Sequence, residues 1–130
     1  MNQTNNQDVV RILLAEDNLT NQLVVEKLLH ANGWQVDVVN NGRQALEKLP
    51  AQHYDLILMD WHMPVLDGLE ATRLIRSADA DYATTPIVGL TGNIDIDDLE
   101  RCLAAGMNDV VTKPVTRQQL LSVIDGFLVV

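Results

Sequence analysis

Short apolar runs alternate with longer amphipathic stretches along the chain. Five of these runs have the length of a β-strand: Val9–Ala15, Val36–Val39, Leu56–Met59, Ile87–Leu90 and Asp109–Thr112. Three runs are almost entirely apolar, as expected of parallel strands that are covered on both faces. The run Val36–Val39 includes Asp37, and this mixed composition favours a strand at the edge of the sheet.

Helical spacing of apolar residues marks the segments between the runs. The predicted helices carry these positions in turn: Leu23, Val24, Lys27, Leu28 and Ala31; Ala45, Leu46 and Leu49; Leu69, Thr72, Leu74 and Ile75; Leu99, Cys102, Leu103 and Met107; Leu120, Leu121, Ile124, Phe127 and Leu128. Asn32-Gly33 and Gly106 are typical helix ends, and Thr116 is a predicted N-cap. Five β–α repeats predict an α/β fold with a parallel sheet between two helical layers.

Length and charge narrow the class of protein. The 130 residues predict one domain over residues 9–130, with the polar segment 1–8 as a flexible arm or linker remnant. With 18 Asp+Glu against 9 Lys+Arg, the net charge is −9, which disfavours nucleic acids and anionic membranes and favours divalent cations. The apolar runs are too short to span a membrane, and a single cysteine fits a reducing compartment. We therefore expect a cytoplasmic protein.

Polar side chains follow four of the predicted strands where each strand ends. Glu16 and Asp17 follow the first run, Asp60 the third, Thr91 the fourth and Lys113 the fifth. Ligands of open parallel sheets bind beyond the carboxyl ends of the strands. If the first and third strands are neighbours, three carboxylates share one crevice with an ammonium and a hydroxyl group. Such a crevice suits Mg²⁺ beside a phosphoryl group, with Mn²⁺ as an alternative.

Four segments together resemble the receiver domain of two-component response regulators. They are Ile12–Asn18 (ILLAEDN), Met59–Gly68 (MDWHMPVLDG), Leu90–Asn93 (LTGN) and Thr112–Pro114 (TKP). The resemblance covers roughly residues 11–127, and Cys102–Asp109 further resembles the receivers of hybrid sensor histidine kinases. It implies a flavodoxin-like (βα)5 fold with a doubly wound five-stranded parallel sheet in the order 2-1-3-4-5.

The resemblance also implies a metal-dependent phosphoacceptor. Asp60 would be the carboxylate nucleophile that forms an acyl phosphate. Asp17 and Asp60 would bind Mg²⁺ directly, together with the backbone carbonyl of His62, and Glu16 would act mainly through water.

Further roles follow from the same resemblance. Thr91 would be the switch hydroxyl that moves onto the phosphoryl group, and Lys113 would pair with Asp60 or its phosphate. The peptide bond between Lys113 and Pro114 is expected to be cis. The side chains of His62 and Asn93 would modulate how water reaches the phosphorus atom.

The implied function is signalling rather than enzymatic turnover. A histidine kinase or a histidine phosphotransfer domain would donate the phosphoryl group, slow self-dephosphorylation would remove it, and a conformational change would be the output. We expect a monomer or weak dimer. The chain departs from the family pattern at Val110, where receivers usually carry an aromatic residue, and at Gly92.

Other functions fit the sequence less well. A flavodoxin needs a phosphate-binding loop after the first strand, where Glu16 and Asp17 would repel the phosphate. A haloacid-dehalogenase-type phosphatase needs an acid two residues after the nucleophile, where this chain has His62. A pseudo-receiver that only binds proteins is the main alternative, although the phosphoacceptor residue set is complete.

Further expectations concern individual residues and the origin of the chain. Trp61 is expected at a partly exposed rim, His62 in an exposed loop, and Cys102 in the core. The polar start and the hybrid-like sequence favour a receiver excised from a larger kinase over a stand-alone protein.

Overall fold

A computed structural model describes residues 9–92 and 95–128. The predicted arm over residues 1–8 and the site residue Asn93 lie outside the described residues. The described strands are β1 Arg11–Ala15, β2 Gln35–Val39, β3 Leu56–Asp60, β4 Ile87–Thr91 and β5 Asp109–Thr112. The helices are α1 Leu19–Ala31, α2 Gly42–Lys48, α3 Gly68–Ser77, α4 Ile96–Ala105 and α5 Arg117–Leu128, with a 3₁₀ turn at Asp81–Thr84.

The five strands form one parallel sheet in the order β2-β1-β3-β4-β5. This confirms the flavodoxin-like fold, and β2 lies at an edge as its mixed composition indicates. Ala15 of β1 is in register with Met59 of β3, so Glu16 and Asp60, the residues that follow in each chain segment, lie side by side. The change in winding direction between β1 and β3 leaves a crevice at this point.

Two hydrophobic clusters lie on opposite faces of the sheet. Helices α2, α3 and α4 cover one face through residues such as Ala45, Ile75 and Cys102. Helices α1 and α5 cover the other through residues such as Leu29 and Ile124. The predicted core position of Cys102 is confirmed, with 1% of its surface exposed.

The predicted buried face of α1 is wrong. Leu23 and Val24 are 49% and 45% exposed, whereas Val25 and Leu29 are buried. Helix α1 carries apolar residues around much of its circumference, so periodicity alone does not select the face that meets the sheet.

The same correction applies to single positions in two other helices. Leu74 of α3 is 44% exposed, while Leu69 and Ile75 are buried as predicted. In α4, Leu99 and Leu103 are 37% and 45% exposed. The sequence around these leucines does not show which of them are half exposed and which lie in the core.

Side-chain caps begin the helices directly after the strand ends. The Asn18 side chain accepts a hydrogen bond from the backbone N–H of Asn21 at the start of α1. The Asp67 side chain accepts one from the backbone N–H of Glu70 at the start of α3. Thr116 Oγ1 accepts from the backbone N–H of Gln119 at 3.2 Å, as predicted for α5. These caps hold short loops at the end of the sheet where the polar residues gather. Among the described residues, the helices are too short and too polar to cross a membrane.

Candidate functional site

Three carboxylates meet at the carboxyl ends of β1 and β3. One carboxylate oxygen from each of Glu16, Asp17 and Asp60 lies within 4.8 Å of the others. Glu16 and Asp60 are buried, with 1% and 3% of their surfaces exposed, and Asp17 is exposed. The side chains predicted to share a crevice are therefore neighbours in space.

Lys113 reaches this cluster from the end of β5. Its Nζ lies 3.0 Å from Asp60 Oδ1 and 3.0 Å from Glu16 Oε1. The backbone N–H of Lys113 donates to the carbonyl of Thr91 at 2.7 Å, and the peptide bond to Pro114 is cis as the resemblance implies. Thr91 itself is buried at the end of β4, between the strands that carry Asp60 and Lys113.

Burial dominates the electrostatics of the crevice. Loss of solvation raises the pKa of Asp60 to about 6, with a further rise from Glu16, although the ion pair with Lys113 opposes the shift. Burial alone would lower the pKa of Lys113, but its bonds to Asp60 and Glu16 outweigh burial and raise it. A single ammonium thus faces two buried carboxylates and the exposed carboxylate of Asp17.

The buried Glu16 carboxylate has spare bonding capacity. Its Oε2 accepts a hydrogen bond from the backbone N–H of Asn18 at 3.1 Å. Its Oε1 is ion-paired with Lys113, yet within the described part of the chain it accepts no hydrogen bond of good geometry. A buried oxygen in this state is suited to a water molecule bound to a cation. The three carboxylates, among them a buried oxygen that is ion-paired but accepts no hydrogen bond of good geometry, therefore fit Mg²⁺.

The loop after β3 is held close to the backbone of Asp60. The N–H of Gly68 donates to the carbonyl of Trp61 at 2.7 Å, and that of Leu66 donates to Pro64 at 2.7 Å. A Cβ atom on Gly68 would lie 2.2 Å from the carbonyl oxygen of Asp60, so only glycine fits there. Between these contacts Val65 has φ of 69°, a strained conformation for a β-branched residue.

Trp61 is buried, so the prediction of a rim position is wrong. Its surface is only 6% exposed, because its side chain belongs to the hydrophobic cluster that α2, α3 and α4 cover. The indole stacks on the ring of His62 at 5.0 Å, and Arg101 of α4 lies 5.2 Å from the indole centroid. His62 is exposed, as predicted. The pair with Arg101 links the loop after β3 to α4.

Sequence reasoning missed two amides beside the carboxylates. Gln22 Nε2 donates to the carbonyl of Glu16 at 2.5 Å and to Asn40 Oδ1 at 2.8 Å. Gln22 lies one helical turn after the N-cap residue Asn18, and this spacing was the available signal.

A cavity at the opposite end of the sheet lies away from this chemistry. It measures about 530 Å³ and is bordered by Tyr54, Tyr82 and Thr85 near the amino ends of the strands. None of the described predicted site residues lines it. A smaller cavity of about 110 Å³ borders Glu16 and Lys113.

Comparisons with known proteins agree on one family. A family model described as response regulator receiver domain matches residues 12–125. Over 125 residues the chain is 42% identical to hybrid signal transduction histidine kinase K of Dictyostelium discoideum, and over 116 residues it is 47% identical to two-component system protein A of Emericella nidulans. These matches cover 92% and 87% of the chain but only 10% and 17% of the two relatives.

Solved structures give the same result. The receiver domain of sensor histidine kinase PA1611 from Pseudomonas aeruginosa superposes with a TM-score of 0.85 at 44% identity, covering 92% of this chain and 97% of the other. That structure has a magnesium ion coordinated in its active site cleft. Full-length ShkA, in complex with AMPPNP, matches with a TM-score of 0.80 at 44% identity over 92% of this chain and 24% of its own.

Proposed function

The chain belongs to the response regulator receiver domain family of two-component systems, and on this premise we propose that Asp60 accepts a phosphoryl group from a phosphohistidine. One observation carries the proposal: the buried Asp60 carboxylate is bonded to Lys113 and adjoins two further carboxylates. A charge pair of this kind at a strand end suits a nucleophile that works beside a metal ion.

We assign Mg²⁺ to the carboxylate cluster, with Mn²⁺ as an alternative. Asp17, Asp60 and the backbone carbonyl of His62 would coordinate the cation directly. Glu16 would accept a hydrogen bond from a water molecule on the cation through Oε1, which accepts no other hydrogen bond of good geometry from the described residues. When bound, the cation neutralises negative charge on the phosphoryl group during transfer. The magnesium ion in the cleft of the PA1611 receiver supports this assignment.

The transfer is an in-line displacement at phosphorus. A bond forms between an Asp60 carboxylate oxygen and phosphorus while the phosphorus–nitrogen bond of phosphohistidine breaks, and its electron pair stays on the imidazole. Lys113 bonds Oδ1, so we assign the other carboxylate oxygen as the attacking atom. The Lys113 ammonium then contacts a phosphoryl oxygen, and the Thr91 hydroxyl donates to another.

Loss of the phosphoryl group returns the domain to its resting state. Water attack on phosphorus would release phosphate and restore the Asp60 carboxylate. His62 is exposed and follows Asp60 by two positions, and Asn93, outside the described residues, follows Thr91 by two positions. Both side chains are therefore assigned to control water access and hence the lifetime of the phosphorylated state.

The domain would act as a signalling module and promote only its own phosphorylation and dephosphorylation. Its partner would be a histidine kinase or a histidine phosphotransfer domain, in the cytoplasm, with the domain as a monomer or weak dimer. Output would pass through the surface of α4, β5 and α5. The alternative, a pseudo-receiver that only binds proteins, has no use for a buried carboxylate cluster with a single neutralising lysine.

Intact-mass measurement after incubation with a small acyl phosphate tests the proposal. With Mg²⁺ the protein is expected to gain one phosphoryl group, and chelation of the metal should abolish the gain. Asp60→Asn keeps the shape and removes the nucleophile, so it should stay unlabelled. The exposed-residue variant Asp97→Asn is the matched control and should label like the parent. Undiminished labelling of Asp60→Asn would disprove the assignment.

A further inference from the structure

A bridge of two neutral amides lies behind the carboxylate cluster. Gln22 of α1 donates from Nε2 to the carbonyl oxygen of Glu16 and to Oδ1 of Asn40, in the loop between β2 and α2. We propose that Gln22 and Asn40 are positioning residues that preset the Glu16–Asp17 peptide for a divalent cation. This inference rests on the proposed function, because it concerns the same metal site.

The bridge completes the fixation of the Glu16 backbone. The N–H of Glu16 donates to the carbonyl of Val39 at 3.0 Å, and its own carbonyl accepts from Gln22 at 2.5 Å. Both backbone polar groups of this residue are therefore tied to other elements. The carbonyl belongs to the peptide unit that leads into Asp17, so its orientation sets the starting direction of the exposed Asp17 side chain.

Asn40 is itself anchored, so the bridge has a firm far end. Its backbone N–H donates to Gln44 Oε1 at 2.7 Å, and the N–H of Gln44 donates to Asn41 Oδ1 at 2.8 Å. The first turn of α2 thus holds Asn40, and Asn40 holds Gln22. The loop that carries Asp17 is connected through side chains to both α1 and α2.

The cluster needs such support because its carboxylates repel one another. Without a cation, repulsion favours movement of the exposed Asp17 away from Asp60, and that movement must be reversed when the metal binds. A glutamine amide carries two N–H donors, which match the two acceptors present. A lysine at position 22 could also donate hydrogen bonds, but its positive charge would repel a cation nearby. A glutamate there would have no donor for the two acceptors, and its oxygen atoms would repel them. The neutral donor therefore positions the site without opposing its ligand.

Calorimetric titration with MgCl₂ of the parent and of variants tests the bridge. Gln22→Met keeps the length of the side chain and removes both donors, and we expect its Kd for Mg²⁺ to rise about ten-fold. Gln118→Met makes the same chemical change at an exposed position of α5 and should keep the parental Kd. Urea unfolding without metal, run in parallel, separates lost stability from lost affinity.

Variants of Asn40 distinguish positioning from a merely structural role. Asn40→Leu removes the acceptor and should weaken Mg²⁺ binding, whereas Asn40→Asp keeps an acceptor for Gln22 and should bind at least as tightly as the parent. The double variant Gln22→Met/Asn40→Leu should weaken binding by less than the product of the single effects, because both changes break one bridge.

The outcomes separate this inference from the proposed function. If Gln22→Met keeps the parental Kd for Mg²⁺, the bridge does not position the site, although the metal site itself is unaffected. If Gln22→Met does not fold, the same conclusion follows from a parental Kd for Asn40→Leu. If the parent neither binds Mg²⁺ nor accepts a phosphoryl group, the proposed function itself is wrong.

Discussion

The two ends of the sheet differ in how completely their buried charged groups are hydrogen-bonded. At the carboxyl end, Lys113 faces Glu16 and Asp60, and one oxygen of Glu16 accepts no hydrogen bond from the described residues. At the amino end, the half-buried guanidinium of Arg76 is surrounded by acceptors. The first arrangement keeps capacity for a ligand, and the second uses its charge to hold the fold.

The contacts of Arg76 explain the difference. Its Nε donates to the carbonyl of Gly106 at 2.9 Å, and its Nη1 to those of Ala83 and Thr85 at 2.8 Å each. Its Nη2 donates to Asn108 Oδ1 at 2.8 Å. One side chain from the end of α3 therefore joins the segments that lead into β4 and β5, and a planar guanidinium is suited to this task.

Loss of Arg76 is expected to produce the largest effect. Arg76→Met removes four hydrogen bonds and leaves carbonyl groups without partners, so it should lower the free energy of unfolding by about 3 kcal/mol. Arg73→Met is the matched control in the same helix, because Glu70 is the partner of Arg73 among the described residues and both side chains are about half exposed. Urea denaturation measures both, and equal losses would remove the contrast between the two ends.

Replacement of Asp60 by asparagine should change stability in the opposite direction. The pKa of Asp60 in the folded state, about 6, exceeds that of the unfolded chain, so its contribution to stability is complete below about pH 4 and is lost as the pH rises to 6. Metal-free Asp60→Asn does not titrate and should exceed the parent by about 2 kcal/mol at pH 7.5. At pH 4 the gain should nearly vanish. A gain that does not depend on pH would contradict the account.

Metal binding should offset the destabilisation that repulsion among the three carboxylates causes. For the parent, Mg²⁺ at about ten times its Kd stabilises by about 1.4 kcal/mol, or roughly 3–8 °C in Tm. Asp17→Asn should melt no lower than the parent without metal and should lose most of the shift with it. Ca²⁺ controls for unspecific screening, and Asp97→Asn should keep the full shift. If Asp17→Asn melts lower without metal yet keeps the shift, Asp17 is a structural cap.

The smallest effect concerns strain in the loop after β3. Val65 is 72% exposed at a φ of 69°, which costs a β-branched residue about 1 kcal/mol. Asparagine tolerates this conformation, so Val65→Asn should raise the free energy of unfolding by about 0.5–1 kcal/mol. Val24→Asn, at an exposed position of α1, should give no gain. A loss at Val65 would mean that its side chain makes a stabilising contact.

The order of elements was predictable because it depends on local patterns. Apolar runs and helical spacing, with caps such as Thr116, are properties of neighbouring residues, and Asp60 and Lys113 were found because strand ends share one edge. The face of α1 was not predictable, because the sheet selects it. Nor was the burial of Trp61, because the cluster that receives its side chain is formed by residues far along the chain.

The sequence pattern did not predict which distant groups the polar side chains contact. The spacing of Gln22 places it near the start of α1, but it does not show that Asn40, 18 residues away, is an acceptor. Arg76 looks like an ordinary surface residue in sequence, since its acceptors are mostly backbone carbonyls. No local pattern distinguishes a solvated arginine from one that joins three segments.

Reductive trapping of the phosphorylated protein identifies the phosphoacceptor residue. Borohydride reduces an aspartyl phosphate to homoserine, so peptide mapping after incubation with an acyl phosphate and Mg²⁺ locates the modified residue. We expect homoserine at position 60 alone, and only when the metal is present. Homoserine at position 17, or a phosphoryl group that borohydride does not remove, would contradict this expectation.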